Sequence, residues 1–347
     1  MIEDWQQQHR QALTDPRQLA AQFDLNGADL ALVGTRYPMR ITTHSLKLIS
    51  HSGDPIAQQF IPSLRELAAD SAMYSDPLNE EALSPVPHLV HRYPHRVLLL
   101  VAGSCFSYCR FCTRKRKVGC QDMAVSLGDV IKGLEYITEH PQVNEVILSG
   151  GDPLTMSDNL LCDILERLRR IPHVEVVRIG SRAPVVLPAR ITPALCSLLS
   201  SYQPLYFLTH FNHPAELCPA SIEACTSLVR AGVPVINQTV LLRGINDDAT
   251  ILHELFHKLH RLCVRPYYLH QMDLTCGTAH FRTSLETGIE IMDKLRGPLS
   301  GLAVPTYIVD LPGGHGKVPI TPAYIRSLGK QAKLRAADGT LVDYPQD

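Results

Sequence analysis

The chain has 347 residues, 45% of them apolar, and a formal net charge of −1, so it is long enough to bury a substantial core. That balance gives no electrostatic basis for nucleic acid or an anionic membrane as partner, and the longest apolar run, Val97 to Ala102, is far too short to span a bilayer. Ten cysteines follow an opening, Met1-Ile2-Glu3-Asp4-Trp5, without the basic and apolar regions of an export signal; this predicts metal binding or buried thiols in a cytoplasmic protein rather than a disulfide framework.

In chain order, residues 1 to about 75 read as helical, including an amphipathic run from Ile61 to Met73. From Asp76 to Arg96 the composition shifts to proline, histidine and charge, the mark of a linker or approach loop. Residues 1–90 are therefore expected to form an N-terminal helical region and linker. A regular alternation follows. Apolar, β-branched runs fall at Val97–Ala102, Glu145–Leu148, Val174–Ile179, Leu205–Thr209, Val233–Asn237, Val264–Leu269 and Ala303–Val309. Helical periodicity separates most of them, at Val130–His140, Leu160–Arg170, Ser221–Ala231 and Leu252–Leu262.

Repeated βα units imply a parallel sheet or barrel with helices outside. The chemically distinctive residues come at or after the strand ends: Cys105, Gly150-Gly151-Asp152, Ser181-Arg182, His210, Gln238, Asp273 and Asp310. Clustering at the C-terminal ends of parallel strands is the (β/α) barrel arrangement. Residues 97–310 are too few for eight units, so the expected fold is α/β: a partial (β/α) barrel of about six parallel βα units over 91–320, then a C-terminal tail over 321–347.

Cys105-Phe106-Ser107-Tyr108-Cys109-Arg110-Phe111-Cys112 is a CxxxCxxC pattern in the loop after the first strand. Thiolates are soft ligands suited to an iron–sulfur cluster, and three of them leave one iron of a four-iron cube open for chemistry. Arg110, Arg114, Lys115, Arg116 and Lys117 are expected to offset the cluster's negative charge. A structural zinc site needs a fourth ligand, and no Cys or His stands at finger spacing. Cys162, Cys196, Cys225 and Cys263 fall in helical stretches and read as core residues; Cys120, Cys218 and Cys276 fall in loops.

Taken together, several motifs resemble the lysine 2,3-aminomutase family of radical S-adenosylmethionine enzymes. They are His91-Arg92-Tyr93-Pro94-His95-Arg96-Val97, the cysteine cluster with Thr113-Arg114, and Ser149-Gly150-Gly151-Asp152-Pro153-Leu154. Further along come Thr209-His210-Phe211-Asn212-His213-Pro214, Asn237-Gln238-Thr239-Val240-Leu241-Leu242, Tyr267-Tyr268, Asp273-Leu274, His280-Phe281 and Asp310-Leu311-Pro312-Gly313-Gly314-His315-Gly316-Lys317. The resemblance runs from about Trp5 to about Tyr344.

It implies three cofactors: a [4Fe–4S] cluster on Cys105, Cys109 and Cys112, S-adenosylmethionine, and pyridoxal 5′-phosphate. By resemblance, Gly150, Gly151, Asp152, His210 and Gln238 lie at S-adenosylmethionine. Lys317 is the Schiff-base lysine, and Arg92 and Arg96 hold the pyridoxal phosphate group while Tyr93 covers its ring. The run ending in Lys317 is not a nucleotide P-loop, because Leu311 and Val318 stand where that motif needs glycine and Ser or Thr.

By the same resemblance Arg114 pairs with the substrate α-carboxylate, and Asp273 and Asp310 hold its side-chain ammonium. Two neighbouring carboxylates need a cation between them, which lysine supplies and glutamate does not. The implied activity is conversion of L-lysine to β-lysine through a 5′-deoxyadenosyl radical and a pyridoxal phosphate aldimine. An arginine 2,3-aminomutase, or a radical enzyme with another substrate, is the alternative. A one-electron donor such as flavodoxin or ferredoxin is the expected partner, and a homo-oligomer is compatible with the sequence. No cysteine follows Cys276, where longer family members carry zinc-binding cysteines, so no structural zinc is expected. His270 stands where those enzymes carry tyrosine. Short family members make (R)-β-lysine for elongation factor P, whereas the motifs around Lys317 and the acids are closer to free-lysine mutases; both pathways stay open.

Overall fold

A computed structural model describes residues 5–120, 123–329 and 331–345; the Met1–Asp4 segment read above for an export signal lies outside them. Five short helices come first: α1 (Trp5–Arg10), α2 (Pro16–Phe23), α3 (Gly27–Arg36), α4 (Thr43–Leu48) and α5 (Pro55–Phe60). Asp15, Asn26, Thr42 and Asp54 cap the last four, each side chain accepting from a backbone N–H of the first turn. The run from Ile61 to Met73, read as helical, forms only a 3-10 turn at Leu64–Leu67. Its Glu66 carboxylate turns inward to two buried cations instead of following a helical face.

The central sheet has nine strands in sequence order. β1 (Leu89–Tyr93) pairs antiparallel with β2 (Arg96–Ala102). Parallel pairing then runs from β2 through β3 (Glu145–Gly150), β4 (Val176–Gly180), β5 (Leu205–Thr209), β6 (Val235–Leu241) and β7 (Arg265–Gln271) to β8 (Thr306–Leu311). β9 (Gly316–Pro319) returns antiparallel to β8. Outside the parallel strands lie α6 (Leu127–Glu139), α7 (Asp158–Arg169), the short α8 (Ala183–Val186), α9 (Pro193–Ser200), α10 (Pro219–Arg230), α11 (Ala249–Arg261) and α12 (Leu285–Leu295). Six βα units and a seventh parallel strand make the partial barrel that the alternation predicts.

The strands show which way each side chain points. In β3, Val146 and Leu148 are buried, whereas Ile147 and Ser149 line the lumen. In β6, Val235, Asn237, Thr239 and Leu241 are buried, and Gln238 and Val240 face the lumen. The buried phase packs on the helices, for example on Leu252, Leu255, Phe256 and Leu259 of α11. The other phase is free for a ligand.

Three elements depart from the sequence reading. The expected approach loop holds β1, which carries Arg92 and Tyr93. β6 continues past Asn237, so Gln238 sits within a strand rather than after it. In the segment read as a tail, β10 (Ile325–Ser327), β11 (Gln331–Arg335) and β12 (Leu341–Pro345) form a separate antiparallel sheet. Arg335 ties that sheet to Asp293 of α12 by two bonds of 2.9 and 2.5 Å. Among the described residues no helix is long and apolar enough to cross a membrane.

Candidate active site

The barrel lumen opens into a cavity of about 410 Å³, a size suited to small ligands. Of the residues singled out from sequence, Arg92, Tyr93, Arg96, Cys109, Cys112, Arg114, His210, Gln238, Asp273, Asp310 and Lys317 all line it. Cys105, Gly150, Gly151 and Asp152 stand outside this lining.

The cluster loop leaves β2 with its three cysteines free. Burial pushes the Cys112 thiol up to about 11 and also raises that of Cys105, the penalty expected of thiols taken out of water. Among the described residues no three His, Cys, Asp or Glu side chains are grouped to hold a single metal ion; a four-iron cube instead takes each thiolate on its own iron. Three soft donors beside a ligand-sized cavity fit such a cube.

The neighbouring cations are also paired with acids, while the charges of Arg114 and Lys115 still favour the thiolate of Cys112, and that of Arg114 the thiolate of Cys105. Glu66 takes both Arg110, at 2.5 Å, and Lys115, at 2.6 Å. Glu80 takes Arg114 through two bonds of 2.8 and 2.6 Å, and Glu81 takes Arg116 and Lys117. These acids lie 34 or more residues from the cations they neutralise, beyond the reach of a local pattern. The cation that does bond a cluster thiol is Arg182, through Nη1 to Cys109 Sγ at 2.7 Å.

The Gly150-Gly151-Asp152 turn is built into the base of this loop. A Cβ on Gly150, whose φ is +129°, would lie 2.3 Å from the Ala102 carbonyl oxygen, and one on Gly151 would lie 2.1 Å from that of Ser104. Close backbone approach therefore accounts for both glycines. The Asp152 carboxylate accepts from the backbone N–H of Leu154 at 3.0 Å and of Arg182 at 2.9 Å, and burial raises it to about 6. Its side chain holds the turn, while the Gly150 carbonyl receives Arg114 Nη1 at 3.3 Å.

The two acids differ. Asp310 is saturated: Arg92 Nη1 donates to Oδ1 at 2.8 Å and the Lys317 ammonium donates to Oδ2. Arg92 also reaches the Leu78 carbonyl, so in this structure its guanidinium serves the acid. Asp273 accepts from the Thr113 hydroxyl at 2.7 Å through Oδ2, and its buried Oδ1 has no partner. His210 Nε2 and His270 Nε2 are likewise buried without a partner. Burial drives the His270 imidazole down to about 3 and His210 well below the usual histidine range, so both rings are neutral. Unpartnered polar atoms facing one cavity indicate ligand positions.

At the start of the strands the Arg96 guanidinium lies 4.5 Å above the Tyr93 ring. Arg96 and Arg178 share a single carboxylate, Glu145, at 3.4 and 2.7 Å. Two guanidinia on one acid leave positive charge for a phosphate. The Lys317 backbone N–H donates to the Tyr93 hydroxyl at 3.0 Å. A lysine, an aromatic ring with its stacked arginine, and a spare positive charge on one lumen fit pyridoxal phosphate. Sequence reasoning missed Glu80 and Arg178. Arg178 had a readable signal, a charge on the lumen phase of β4; Glu80 had none.

Comparison with known proteins agrees with this geometry. The Radical SAM superfamily profile matches residues 99–255, and the profile described as Lysine-2,3-aminomutase matches residues 292–347. A protein of Fusobacterium nucleatum named L-lysine 2,3-aminomutase is 47% identical over 99% of this chain and 82% of its own length. One of the same name from Clostridium subterminale is 49% identical over 89% of this chain and 75% of its own. A protein of Clostridioides difficile named glutamate 2,3-aminomutase is 42% identical over 89% and 74%. The chain belongs to the lysine 2,3-aminomutase family of radical S-adenosylmethionine enzymes, isomerases that work with a [4Fe–4S] cluster and S-adenosylmethionine.

Proposed function

We propose that the chain converts L-lysine to β-lysine by a radical shift of the amino group from C2 to C3. The observation that carries this reading is the Lys317 ammonium on Asp310, with Asp273 beside it. Asp310 already holds a primary alkylammonium, the group that a lysine substrate carries at its far end, and Asp273 keeps Oδ1 without a partner beside it. A glutamate substrate would bring a third carboxylate to the same place, at a cost in repulsion. Arginine is the second reading, because Arg92 shows that Asp310 also accepts a guanidinium.

When bound, the cluster and S-adenosylmethionine supply a hydrogen-abstracting radical, and pyridoxal phosphate supplies a conjugated ring that delocalises the unpaired electron. The chain's own groups position and pair charges. Cys105, Cys109 and Cys112 hold the cluster. His210, Gln238 and the Gly150–Asp152 turn face S-adenosylmethionine, and Lys317, Tyr93, Arg96 and Arg178 hold pyridoxal phosphate. Arg114, oriented by Glu80, takes the substrate carboxylate, and Asp273 offers Oδ1 to its ammonium. The expected reductant is a low-potential carrier such as flavodoxin or ferredoxin, and the reaction is assigned to the cytoplasm, in keeping with cysteines read as ligands and buried thiols.

The test is anaerobic reconstitution with S-adenosylmethionine, pyridoxal phosphate, dithionite and L-lysine, L-arginine or L-glutamate in parallel, with products resolved by chiral chromatography. β-Lysine that disappears in Lys317→Ala and in Cys109→Ala is the expected result, and its hand separates free-lysine metabolism from elongation factor P modification. Turnover of arginine or glutamate in preference to lysine would overturn the substrate assignment.

A further inference from the structure

Arg182 follows β4 and crosses the mouth of the barrel to the cluster loop. Its side chain joins four separate segments. Nη1 donates to Cys109 Sγ at 2.7 Å, and Nη2 donates to Glu216 Oε1 at 2.7 Å and to Gln59 Oε1 at 2.5 Å. Nε donates to the His210 carbonyl oxygen at 3.0 Å. The guanidinium lies between two aromatic rings, 5.0 Å from the Phe60 centroid and 5.2 Å from that of Phe111. Glu216 is itself fixed, because its Oε2 accepts from the backbone N–H groups of Asn212 and His213 at 2.6 and 2.9 Å. A fork held on every side has little freedom to rotate away from the sulfur.

We propose that Arg182 is a positioning residue for the cluster: it fixes the Cys109 side chain and raises the cluster's reduction potential through its N–H···S bond. This rests on the reading that Cys105, Cys109 and Cys112 hold a [4Fe–4S] cluster. Reduction adds one negative charge to the cluster and its thiolates. A charge-assisted hydrogen bond to a ligating sulfur draws electron density from the iron and stabilises the reduced state more than the oxidised one. Arginine keeps its proton throughout, so the bond persists in both states. The other loop cations are committed to Glu66, Glu80 and Glu81, which leaves this contact as the direct handle on a thiolate. Glu216 sets its strength, because a carboxylate on the far side of the guanidinium weakens the donation to sulfur.

The experiment reads potential, which a purely structural contact does not move. Wild type, Arg182→Met and Glu216→Gln are reconstituted anaerobically, assayed for iron and sulfide, and titrated with redox mediators while the reduced cluster is followed by electron paramagnetic resonance. At a solution potential fixed at the wild-type midpoint, the ratio of reduced to oxidised cluster is expected to fall about tenfold in Arg182→Met, a shift of about 59 mV for a one-electron couple. Glu216→Gln is expected to move it the other way. Unchanged midpoints in fully loaded variants would overturn the proposal. So would an unchanged midpoint with weakened S-adenosylmethionine binding, which would give Arg182 to that ligand. Should Arg182→Met take up no cluster, the sign of the Glu216→Gln shift decides. Failure of both variants to load, beside a loaded wild type, would make Arg182 a folding contact only and would also overturn the proposal. A wild type that takes up no iron would instead refute the cluster reading itself.

Discussion

Asp273 shows how one buried side chain sets a condition on catalysis. Burial pushes its carboxyl up to about 6, and the charge of Asp310 adds to this; the Thr113 hydroxyl and the Lys317 ammonium offset only part. Below about pH 6 the group is neutral and gives a substrate ammonium nothing to pair with; above it the group is an anion. kcat/KM for lysine, which reports the free enzyme, is therefore expected to rise with pH through about 6 and then level. Asp273→Asn abolishes the ionisation, so its profile loses that limb. The loss of a charge-assisted bond, worth about 1.5–3 kcal/mol, lowers kcat/KM by roughly 10- to 100-fold. A limb near pH 6 that survives in Asp273→Asn would assign the titration to Asp152, which burial raises to the same value. His270 and His210 are not candidates for it, since burial keeps both rings neutral across this range.

At the scale of elements, the cluster loop is anchored from outside the barrel. Glu66, 1% exposed, bonds Arg110 between two of the cysteines and Lys115 just beyond the third. Arg110 also donates to the carbonyls of Pro38 and Tyr37 at 2.8 and 3.4 Å. Glu66→Ala leaves two buried cations without an anion, a defect that costs about 3–5 kcal/mol. Chemical denaturation is expected to show that loss together with reduced iron uptake. A variant of wild-type stability would mean that water reaches these cations. The same element marks where sequence reading stopped. The strands and outer helices were legible because apolar residues recur at periods of 2 and 3.6, and the three cysteines because their spacing is local. The partners Glu66–Arg110, Glu80–Arg114 and Arg182–Cys109 span 44, 34 and 73 residues, and no period or motif relates them. β1 and β9 went unread for another reason: each is short, shows no sustained apolar alternation, and is defined by its antiparallel neighbour.

At the scale of the whole molecule, the partial barrel leaves a seam between its first and last strands, and Lys317 lies on it. β1 and β9 are not paired to each other by a backbone ladder. Tyr93 Oη accepts from the Lys317 backbone N–H, Arg92 reaches Asp310, and the Gly313 N–H donates to the Pro77 carbonyl at 2.9 Å. Gly313, Gly314 and Gly316 all have positive φ, at 77°, 83° and 90°. The turn at 312–315 that leads into Lys317 is thus held by a few discrete bonds, and the ladder with β8 begins at Gly316. Such a segment opens at lower free energy than the strands beside it, which suits the role proposed for Lys317. Tyr93→Phe keeps the ring under Arg96 and removes only the hydroxyl acceptor. The cost is about 1 kcal/mol, so opening of the seam is expected to become roughly fivefold more frequent. Hydrogen exchange followed by mass spectrometry should show faster exchange over residues 313–319 and unchanged exchange in β3 to β6. If exchange quickens throughout the sheet, the hydroxyl supports the barrel as a whole; if it quickens nowhere, the seam is held by Arg92, Pro77 and Asn79, and the mobility of Lys317 must come from the glycines themselves.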